Sequence, residues 1–370
     1  MLVVCLGGCS FNPGQAQQII DAPNAGSDTM VVHDGPPDTT APSVRRKSIT
    51  IDGAMISGTQ DDFPVWISLH DTEIASRALA DGSDIFFTDA AGTALDYEIQ
   101  SWVAPDLAAW VRLPHLVHNT DATIYVVYGD KSKATAPNAP GVFKSSYAAV
   151  WHLDDALATN AVAESTGTHA GTAAGLAAAN HVPGRLGAGV SFDGTGAGTI
   201  SFTNPLGNAT AHTITVWVNQ TPVNHTSAIV TMGSPMTDKS RFLYGQYGTN
   251  NSIGYGLYND DIVPNTNITG TWKMLAWTLE GNNKKNHMYI NGVELGTGQM
   301  SGGNPATAGA AGVIGYAPEP DYGPNNGFSG VIDELRIATV LRDPSWIATE
   351  FANQSNPSGF YAVGAEENVP

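Results

Sequence analysis

Cysteine and basic residues are scarce in this 370-residue sequence. Its two cysteines, Cys5 and Cys9, lie within the first ten residues, so the rest of the chain cannot build a disulfide, a zinc finger or a cysteine nucleophile. Lysine and arginine total 16 against 34 aspartates and glutamates, which gives a formal net charge of −18. Because such a surface repels phosphate, the charge argues against nucleic acid as a partner and favours neutral sugars, peptides or Ca²⁺.

Charged residues of both signs make up only 14% of the chain, whereas 41 glycines and 22 prolines supply frequent turn signals. Short apolar runs between turn residues are typical of β-strands rather than of long helices. The length suits two domains and a tail. We therefore expect an all-β protein made of two antiparallel β-sandwich modules.

The N-terminal residues have the features of a tethering segment. Small residues stand directly before Cys9 in the run 2–10, LVVCLGGCS, which resembles the lipobox of bacterial lipoproteins. This resemblance implies that the chain is cut before Cys9, that Cys9 carries the lipid, and that the protein is held in the bacterial cell envelope, at the outer membrane or cell surface. Residues 1–9 lack the basic start and apolar core of a signal peptide, so we expect a truncated lipoprotein signal there.

Residues 10–44 contain no lysine or arginine and are rich in Pro, Gly, Asp, Thr and Ser. Such a segment cannot bury enough apolar surface to offset its chain entropy. We expect it to be a disordered acidic stalk. No stretch of the sequence approaches 18 consecutive apolar residues, so contact with the membrane is expected only through the lipid anchor.

The first module is expected over residues 45–148. Its blocks have strand length, and apolar and polar residues alternate within several of them. In order, the blocks are RRKSITI at 45–51, DGSDIFFTD at 81–89, YEIQSW at 97–102, AWVRLP at 109–114 and TIYVVYG at 123–129. Together they resemble the domain of unknown function 2341, a family found beside binding modules in envelope proteins, which implies no established chemistry.

Carboxylates and tryptophans are the candidate functional residues of this module. Carboxylates that could hold Ca²⁺ recur at Asp81, Asp84, Asp89 and Asp96 with Glu98, but their spacing does not follow an EF-hand loop, so we interpret the aspartates as turn caps. The tryptophans are interpreted as core residues rather than sugar platforms, namely Trp66, Trp102 and Trp110.

The second module is expected over residues 149–365. Asn291-Gly292 predicts a tight type I′ hairpin. Asp343 as N-cap and Pro344 at the first helical position predict one short C-terminal helix over about 343–353. The ordered blocks resemble the laminin-G-like, concanavalin A-like jelly-roll superfamily, and they are WHL at 151–153, FDG at 192–194, ITVWV at 214–218, YING at 289–292 and IDELRI at 332–337.

A sugar-binding face is predicted on one strand of the jelly roll. If Ile214, Val216 and Val218 face the core, then Thr215, Trp217 and Asn219 face outwards, and Tyr289 has the equivalent parity on its own strand. Aromatic rings flanked by amides suit the CH groups and hydroxyls of a sugar. The alternative is that a loop covers Trp217.

A metal site is also predicted in the jelly roll. The alternation of strand 330–337 puts Asp333 on the face of Leu335 and Ile337, where a buried carboxylate needs a cation or several donors. Superfamily members often hold a structural Ca²⁺, so the resemblance implies Asp333, with Asp193, as ligands. The alternative is a carboxylate that caps backbone N–H groups.

Catalytic motifs are missing from the sequence. No Glu-x-Asp-x-Glu triplet of the laminarinase type occurs, and Asp333 and Glu334, adjacent in a strand, should point to opposite faces. We therefore expect no enzyme but a surface-anchored binding or adhesion lipoprotein that recognises carbohydrate through the jelly roll. The alternatives are a structural or protein-contact module of an envelope complex, partnered by an envelope or extracellular protein, and a glycoside hydrolase with dispersed carboxylates.

Overall fold

A computed structural model describes residues 44–130, 136–144, 146–249, 252–258, 260–281, 285–300, 304–318 and 326–369. Residues 42–370 form one compact unit. The strands of its N-terminal part are β1 (Arg45–Ile51), β2 (Gln60–His70), β3 (Phe86–Asp89), β4 (Tyr97–Val103), β5 (Asp106–Leu116) and β6 (Ala122–Tyr128).

Further strands follow to the end of the chain. They are β7 (Tyr147–Trp151), β8 (Ala161–Val162), β9 (Gly171–Ala174), β10 (His181–Pro183), β11 (Ala188–Asp193), β12 (Thr199–Thr203), β13 (His212–Gln220), β14 (Ser227–Gly233), β15 (Ser240–Gln246), β16 (Gly254–Gly256), β17 (Asp261–Ile262), β18 (Lys273–Glu280), β19 (Lys285–Ile290), β20 (Val293–Gln299), β21 (Ala311–Ile314), β22 (Ser329–Ala338) and β23 (Tyr361–Asn368). The helices are α1 (Thr72–Arg77), α2 (Ala139–Val142), α3 (Pro344–Ser355) and α4 (Pro357–Phe360).

Four antiparallel sheets form two sandwiches, which confirms the expected all-β class. The first sandwich packs the sheet β23-β1-β6-β3 against β2-β5-β4. The second packs β10-β11-β22-β13-β18-β19-β20, with β7 beside β22, against β17-β16-β15-β14-β21-β12-β9-β8. Each sandwich encloses its own apolar core, because alternate residues of the facing strands point inwards.

Two local predictions in the second sandwich are confirmed. Asn291 and Gly292 have φ angles of 52° and 79°, as a type I′ turn requires, and they join β19 to β20. The C-terminal helix is present as α3, and the Asp343 carboxylate accepts a hydrogen bond of 2.9 Å from the backbone N–H of Trp346.

The C-terminal residues return to the first sandwich. The last strand, β23, pairs with β1 rather than with a strand of the jelly roll. Helix α3 covers the free edge of β2, where the side-chain amide of Asn353 bonds both the N–H and the C=O of Trp66, at 2.7 and 3.0 Å. These bonds satisfy an edge that would otherwise present unpaired groups.

A third buried apolar cluster lies between the two sandwiches. It joins Trp66 and Trp110 on the outer face of β2 and β5 to Trp217 and Tyr289 on the outer face of β13 and β19, with Ile347 of α3 among them. The outer faces of both sheets are therefore part of the protein interior at this point.

A β-bulge in β22 changes the face on which Asp333 lies. The pairing steps from Thr215↔Arg336 to Trp217↔Asp333, and Glu334 at the extra position has a φ of 53°. Asp333 therefore shares the outer face with Trp217, and the prediction that it lies on the face of Leu335 and Ile337 is wrong. The Glu334 side chain also reaches the outer face, where it bonds Arg336, so the prediction of opposite faces for Asp333 and Glu334 is wrong too.

None of the helices in the described part of the chain has the length and apolarity needed to span a bilayer.

Candidate functional site

The predicted sugar face lies beneath α3. Trp217 is 2% exposed, its indole N–H donates to the Gln354 side chain at 2.6 Å, and its ring stacks on Phe351. Thr215 and Tyr289 are buried as well, and Asn219 is half-buried. The parity of β13 was predicted correctly, but a helix covers this face, so the expectation of an exposed aromatic platform at Thr215, Trp217, Asn219 and Tyr289 is corrected.

The two predicted metal ligands do not come together. One oxygen of Asp333 accepts the backbone N–H groups of Arg185 and Leu186 at 2.6 and 2.8 Å, which is the capping role. Asp193 is exposed and caps Thr195. Asp193 pairs with Ser329, four residues before Asp333 along β22, which is about 13 Å at 3.3 Å per residue.

One Ca²⁺ ion therefore cannot be shared by Asp193 and Asp333. The described residues hold no group of three or more His, Cys, Asp or Glu side chains arranged for a metal ion. Calcium dependence stays a prediction. The lipidation residue Cys9, the signal at 1–9 and nearly all of the stalk lie outside the described residues.

A buried chain of charged side chains runs between the sandwiches. His152 contacts Glu334 through Nδ1 at 2.7 Å and Glu98 of β4 through Nε2 at 3.2 Å. Glu334 also accepts from Arg336 at 2.9 Å, and Arg336 lies 3.3 Å from Glu350 of α3. This ionic chain links β4, β22 and α3.

Within the ionic chain, the carboxylates shift the pKa of His152, and His152 shifts the pKa of Glu98. Burial alone would lower the pKa of His152, but the charges and hydrogen bonds of Glu334 and Glu98 outweigh it and hold this pKa well above the usual value. Burial would raise the pKa of Glu98, yet the hydrogen bond and charge of His152 lower it overall. These contacts favour the imidazolium form of His152, in which both ring N–H groups can donate to carboxylates.

A cleft of about 320 Å³ opens beside this chain, and we call it the acidic cleft. Its polar lining comes from both sandwiches and comprises Glu98, Gln100, His152, Asp154, Glu164 and Ser165. Burial, with the nearby carboxylates Glu334 and Asp155, raises the pKa of Asp154 despite the opposing charge of His152. The Asp154 carboxyl accepts a hydrogen bond from its own backbone N–H, and its partly exposed side chain lines the acidic cleft.

The Glu164 carboxylate is occupied by hydrogen bonds within the protein, so it is not available to a ligand. Its carboxylate is buried and accepts backbone N–H groups, at 2.7 Å from both Val150 and Thr166. Ser165, next along the chain, donates to Glu98 at 3.0 Å. The rigid loop around Glu164 therefore holds one wall of the acidic cleft in place.

A second cleft of about 400 Å³ contains a partly exposed tryptophan, and we call it the tryptophan cleft. Its lining comprises Asp81, Gly82, Ser83, Ile99, Gln100, Ser101, Trp102 and Pro137. The Trp102 indole is fixed because its N–H donates to the carbonyl of Leu79 at 3.0 Å. Gly82, at a φ of 69°, lies so close to this ring that a Cβ there would meet it at 2.8 Å.

Gln100 lines both clefts and is held in one orientation. Its side-chain nitrogen donates to the carbonyl of Leu186 at 3.0 Å, and its side-chain oxygen accepts the Trp110 indole N–H at 3.0 Å. One N–H and one lone pair of the amide remain for a ligand. Gln100 stands at a register shift in β4 between Ile99 and Ser101, and such bulges re-aim side chains.

No pattern in the sequence predicted this site. The interpretation of Trp102 as a core residue is confirmed by its packing against the core of the first sandwich, although the ring stays partly exposed. No role was predicted for Gln100, His152 or Asp154, and Glu98 was considered only together with the nearby aspartates. Strand alternation alone would place Glu98, Gln100 and Trp102 on one face, but the register shift between Ile99 and Ser101 breaks that alternation. No local pattern could predict that Glu98 and His152, which are 54 residues apart, would meet at this site between the two sandwiches.

Comparison with known families matches two parts of the chain. Residues 81–161 match DUF2341, a domain of unknown function, and residues 193–348 match Laminin_G_3, described as the concanavalin A-like lectin/glucanases superfamily. Both predicted resemblances are confirmed, in the predicted order. Because the concanavalin A-like fold serves glycosidases as well as binding domains, it does not by itself decide between them.

Several solved structures are similar to part of the chain. Domain 4 of AbnA, a GH43 extracellular arabinanase from Geobacillus stearothermophilus, in complex with arabinotriose, is 21% identical with a TM-score of 0.43, over 56% of this chain and 98% of that one. The binding domain of Paraclostridial Mosquitocidal Protein 1 is 13% identical with a TM-score of 0.44, over 56% and 52%. A Trypanosoma rangeli sialidase is 16% identical with a TM-score of 0.42, over 56% and 32%. No curated protein matches the chain.

Proposed function

We propose that this protein is a non-catalytic carbohydrate-binding protein of the bacterial cell envelope. The observation that carries the proposal is the tryptophan cleft, where a fixed, partly exposed indole lies beside the fixed amide of Gln100, the carboxylate of Asp81 and the hydroxyls of Ser83 and Ser101. An aromatic ring with a few placed polar groups in a cleft of several hundred Å³ suits a sugar. The concanavalin A-like match supports the same class of function.

A glycan array tests the proposal with the full chain carrying Cys9→Ser, so that it remains unlipidated. We expect saturable binding to one sugar class, a loss of at least about tenfold in affinity in Trp102→Ala, and little change in Tyr125→Ala. Tyr125 is a matched control because it is a partly exposed aromatic on β6, outside both clefts. Absence of binding by the folded protein to every sugar would overturn the proposal.

The non-catalytic part of the proposal is tested separately. The sugar that the array identifies is incubated with the protein and its chain length is followed by chromatography. We expect it to be recovered intact, since no catalytic carboxylate pair was found in the sequence. Shortened chains that disappear in Glu98→Gln or Asp154→Asn would establish a hydrolase instead.

We also propose that a lipid on Cys9 anchors the protein in the membrane. Metabolic labelling with an alkyne fatty acid in a bacterial host, with a functional lipoprotein signal sequence fused ahead of Cys9, should label the wild-type protein. Cys9→Ala should remain unlabelled and leave the membrane fraction. Equal labelling of both would exclude Cys9 as the lipidated residue.

Protein contact is the second candidate function, and the exposed edge of β20 favours it. Among the described strands β20 ends its sheet, and it exposes 71% of Val293 and 39% of Leu295. Such an edge can accept a strand from another chain. Cross-linking in the cell envelope should then give an adduct with one defined protein that Val293→Lys removes, while sugar binding stays intact.

A further inference from the structure

The acidic cleft and the tryptophan cleft are neighbours along the edge of β4. Both are lined by Ile99 and Gln100. The segment 137–140 borders both of them, with Pro137 in the tryptophan cleft and Ala139 and Pro140 in the acidic cleft. The clefts therefore adjoin each other at the bulged position of β4, which is the edge strand of its sheet.

The two clefts differ in what they offer to a ligand. The tryptophan cleft provides an aromatic face on which the CH groups of a ring can lie, with the hydroxyls of Ser83 and Ser101 nearby. The acidic cleft has no aromatic ring other than that of His152, and offers the carboxylates of Glu98 and Asp154. Carboxylates accept hydrogen bonds from sugar hydroxyls. One cleft thus suits the face of a sugar ring and the other suits its hydroxyl edge.

The combined length exceeds that of a single sugar. From residue 98 to residue 102 the strand rises about 13 Å, at roughly 3.3 Å per residue. The two clefts, of about 320 and 400 Å³, are each as large as a small ligand site. A monosaccharide would occupy only one of them, whereas a linear chain could continue past Gln100 into the other.

We propose that one linear oligosaccharide lies across β4 and occupies both clefts, with Gln100 contacting the chain where it passes from one cleft to the other. This inference rests on the proposed function and adds the ligand class, a chain of several sugars rather than a single terminal sugar. It also assigns a role to the first sandwich, because Trp102, Gln100 and Glu98 belong to it. His152, Asp154 and Ser165 complete the site from beyond β7.

The proposal predicts different length dependences for two variants. Trp102→Ala should weaken binding at every chain length, because the stacked ring is lost from all complexes. Asp154→Asn should weaken only those chains long enough to reach the acidic cleft. Asp154 is the suitable probe there because it lines the acidic cleft and not the tryptophan cleft, and because asparagine preserves its size.

Titration calorimetry tests this with the full chain carrying Cys9→Ser. The probes are neutral ladders of one to six sugars from linear glucans, xylans, mannans, arabinans and chitin. We expect affinity to rise stepwise until the chain fills both clefts. We expect Trp102→Ala to lose about tenfold or more at all lengths, and Asp154→Asn to lose about fivefold for the longer chains only.

Two control variants and three outcomes make the test decisive. Tyr125→Ala and Asp61→Asn, both outside the clefts, should bind as the wild type does. Binding whose affinity is the same for one sugar as for six, with no effect of Asp154→Asn, would overturn the spanning chain and leave the proposed function standing. No binding to any ladder would overturn both. A length dependence that Asp154→Asn reduces, and that Trp102→Ala retains at weaker affinity, supports the inference.

Discussion

Two tryptophans of this protein, Trp217 and Trp102, differ in how far their side chains are exposed. Trp217 of β13 is 2% exposed, because Phe351 and Gln354 of α3 and the guanidinium of Arg185, 5.2 Å from its ring, surround it. Trp102 of β4 is partly exposed and lines a cleft, although its indole N–H is also bonded. The sequence favoured Trp217 for sugar binding and assigned Trp102 to the core.

The difference shows what strand alternation can and cannot reveal. Alternation gives the face of a sheet on which a side chain lies. It does not reveal whether a helix from 130 residues further along the chain will cover that face. Trp217 is covered because α3 closes the space between the two sandwiches, whereas Trp102, at the end of β4, stays partly exposed in the part of the chain that the structure describes.

Trp217→Ala should have the largest effect on stability. Removing a buried indole between a sheet and a helix typically costs about 3 to 5 kcal/mol. Guanidinium unfolding monitored by circular dichroism measures this, with Trp102→Ala as the comparison, which should cost less because its ring is partly exposed. The binding of sugars by folded Trp217→Ala should be unchanged. Loss of binding without loss of stability would restore the sheet face as the site.

Asn353→Ala should have the next largest effect. It leaves the N–H and C=O of Trp66 without their partner, at about 1 to 3 kcal/mol for each buried unsatisfied group, so we expect about 2 to 4 kcal/mol in all. The same unfolding experiment checks this, with Ser358→Ala as an exposed control close to α3 in the chain. An effect below about 0.5 kcal/mol would show that water satisfies the β2 edge and that α3 does not hold the sandwiches together there.

The free energy of unfolding should depend on pH through His152 of the ionic chain. Because the folded-state pKa of His152 is raised, its contribution is fully present below the unfolded pKa of about 6.5 and is lost as pH rises through the folded value. The slope for one proton is at most about 1.4 kcal/mol per pH unit. Urea unfolding from pH 6 to 9 should show a decline that His152→Gln reduces. Equal slopes in both proteins would contradict a charged His152.

Removal of calcium should have the smallest effect on stability, although Asp193 and Asp333 were predicted to bind it. Asp333 is already held by two backbone N–H groups and Asp193 lies apart from it. We expect EDTA to shift the Tm by no more in wild type than in Asp193→Asn. A fall in Tm with EDTA that Asp193→Asn abolishes would restore a Ca²⁺ site at that residue.

Much of the architecture could be predicted from local pattern. Asn291-Gly292 and Asp343-Pro344 act through their own backbone preferences, so their hairpin and helix start were found without knowledge of the fold. Asp333 was placed on the wrong face because Glu334 adopts a left-handed conformation that glutamate rarely takes, and nothing in its identity announces a bulge. His152 and Glu98, 54 residues apart, meet only because β4 and the segment after β7 lie at the same boundary.

Composition, turn chemistry and a period of two were enough to predict the all-β class, the order of the two sandwiches and the separation of core-facing from outward-facing residues on β13. Which outward face stays open depends on how the chain packs in three dimensions. Helix α3 and β23 return to the first sandwich, bury Trp217, and leave the edge of β4 beside His152 and Asp154 accessible. That outcome depends on contacts between residues far apart in the chain, which no local pattern encodes.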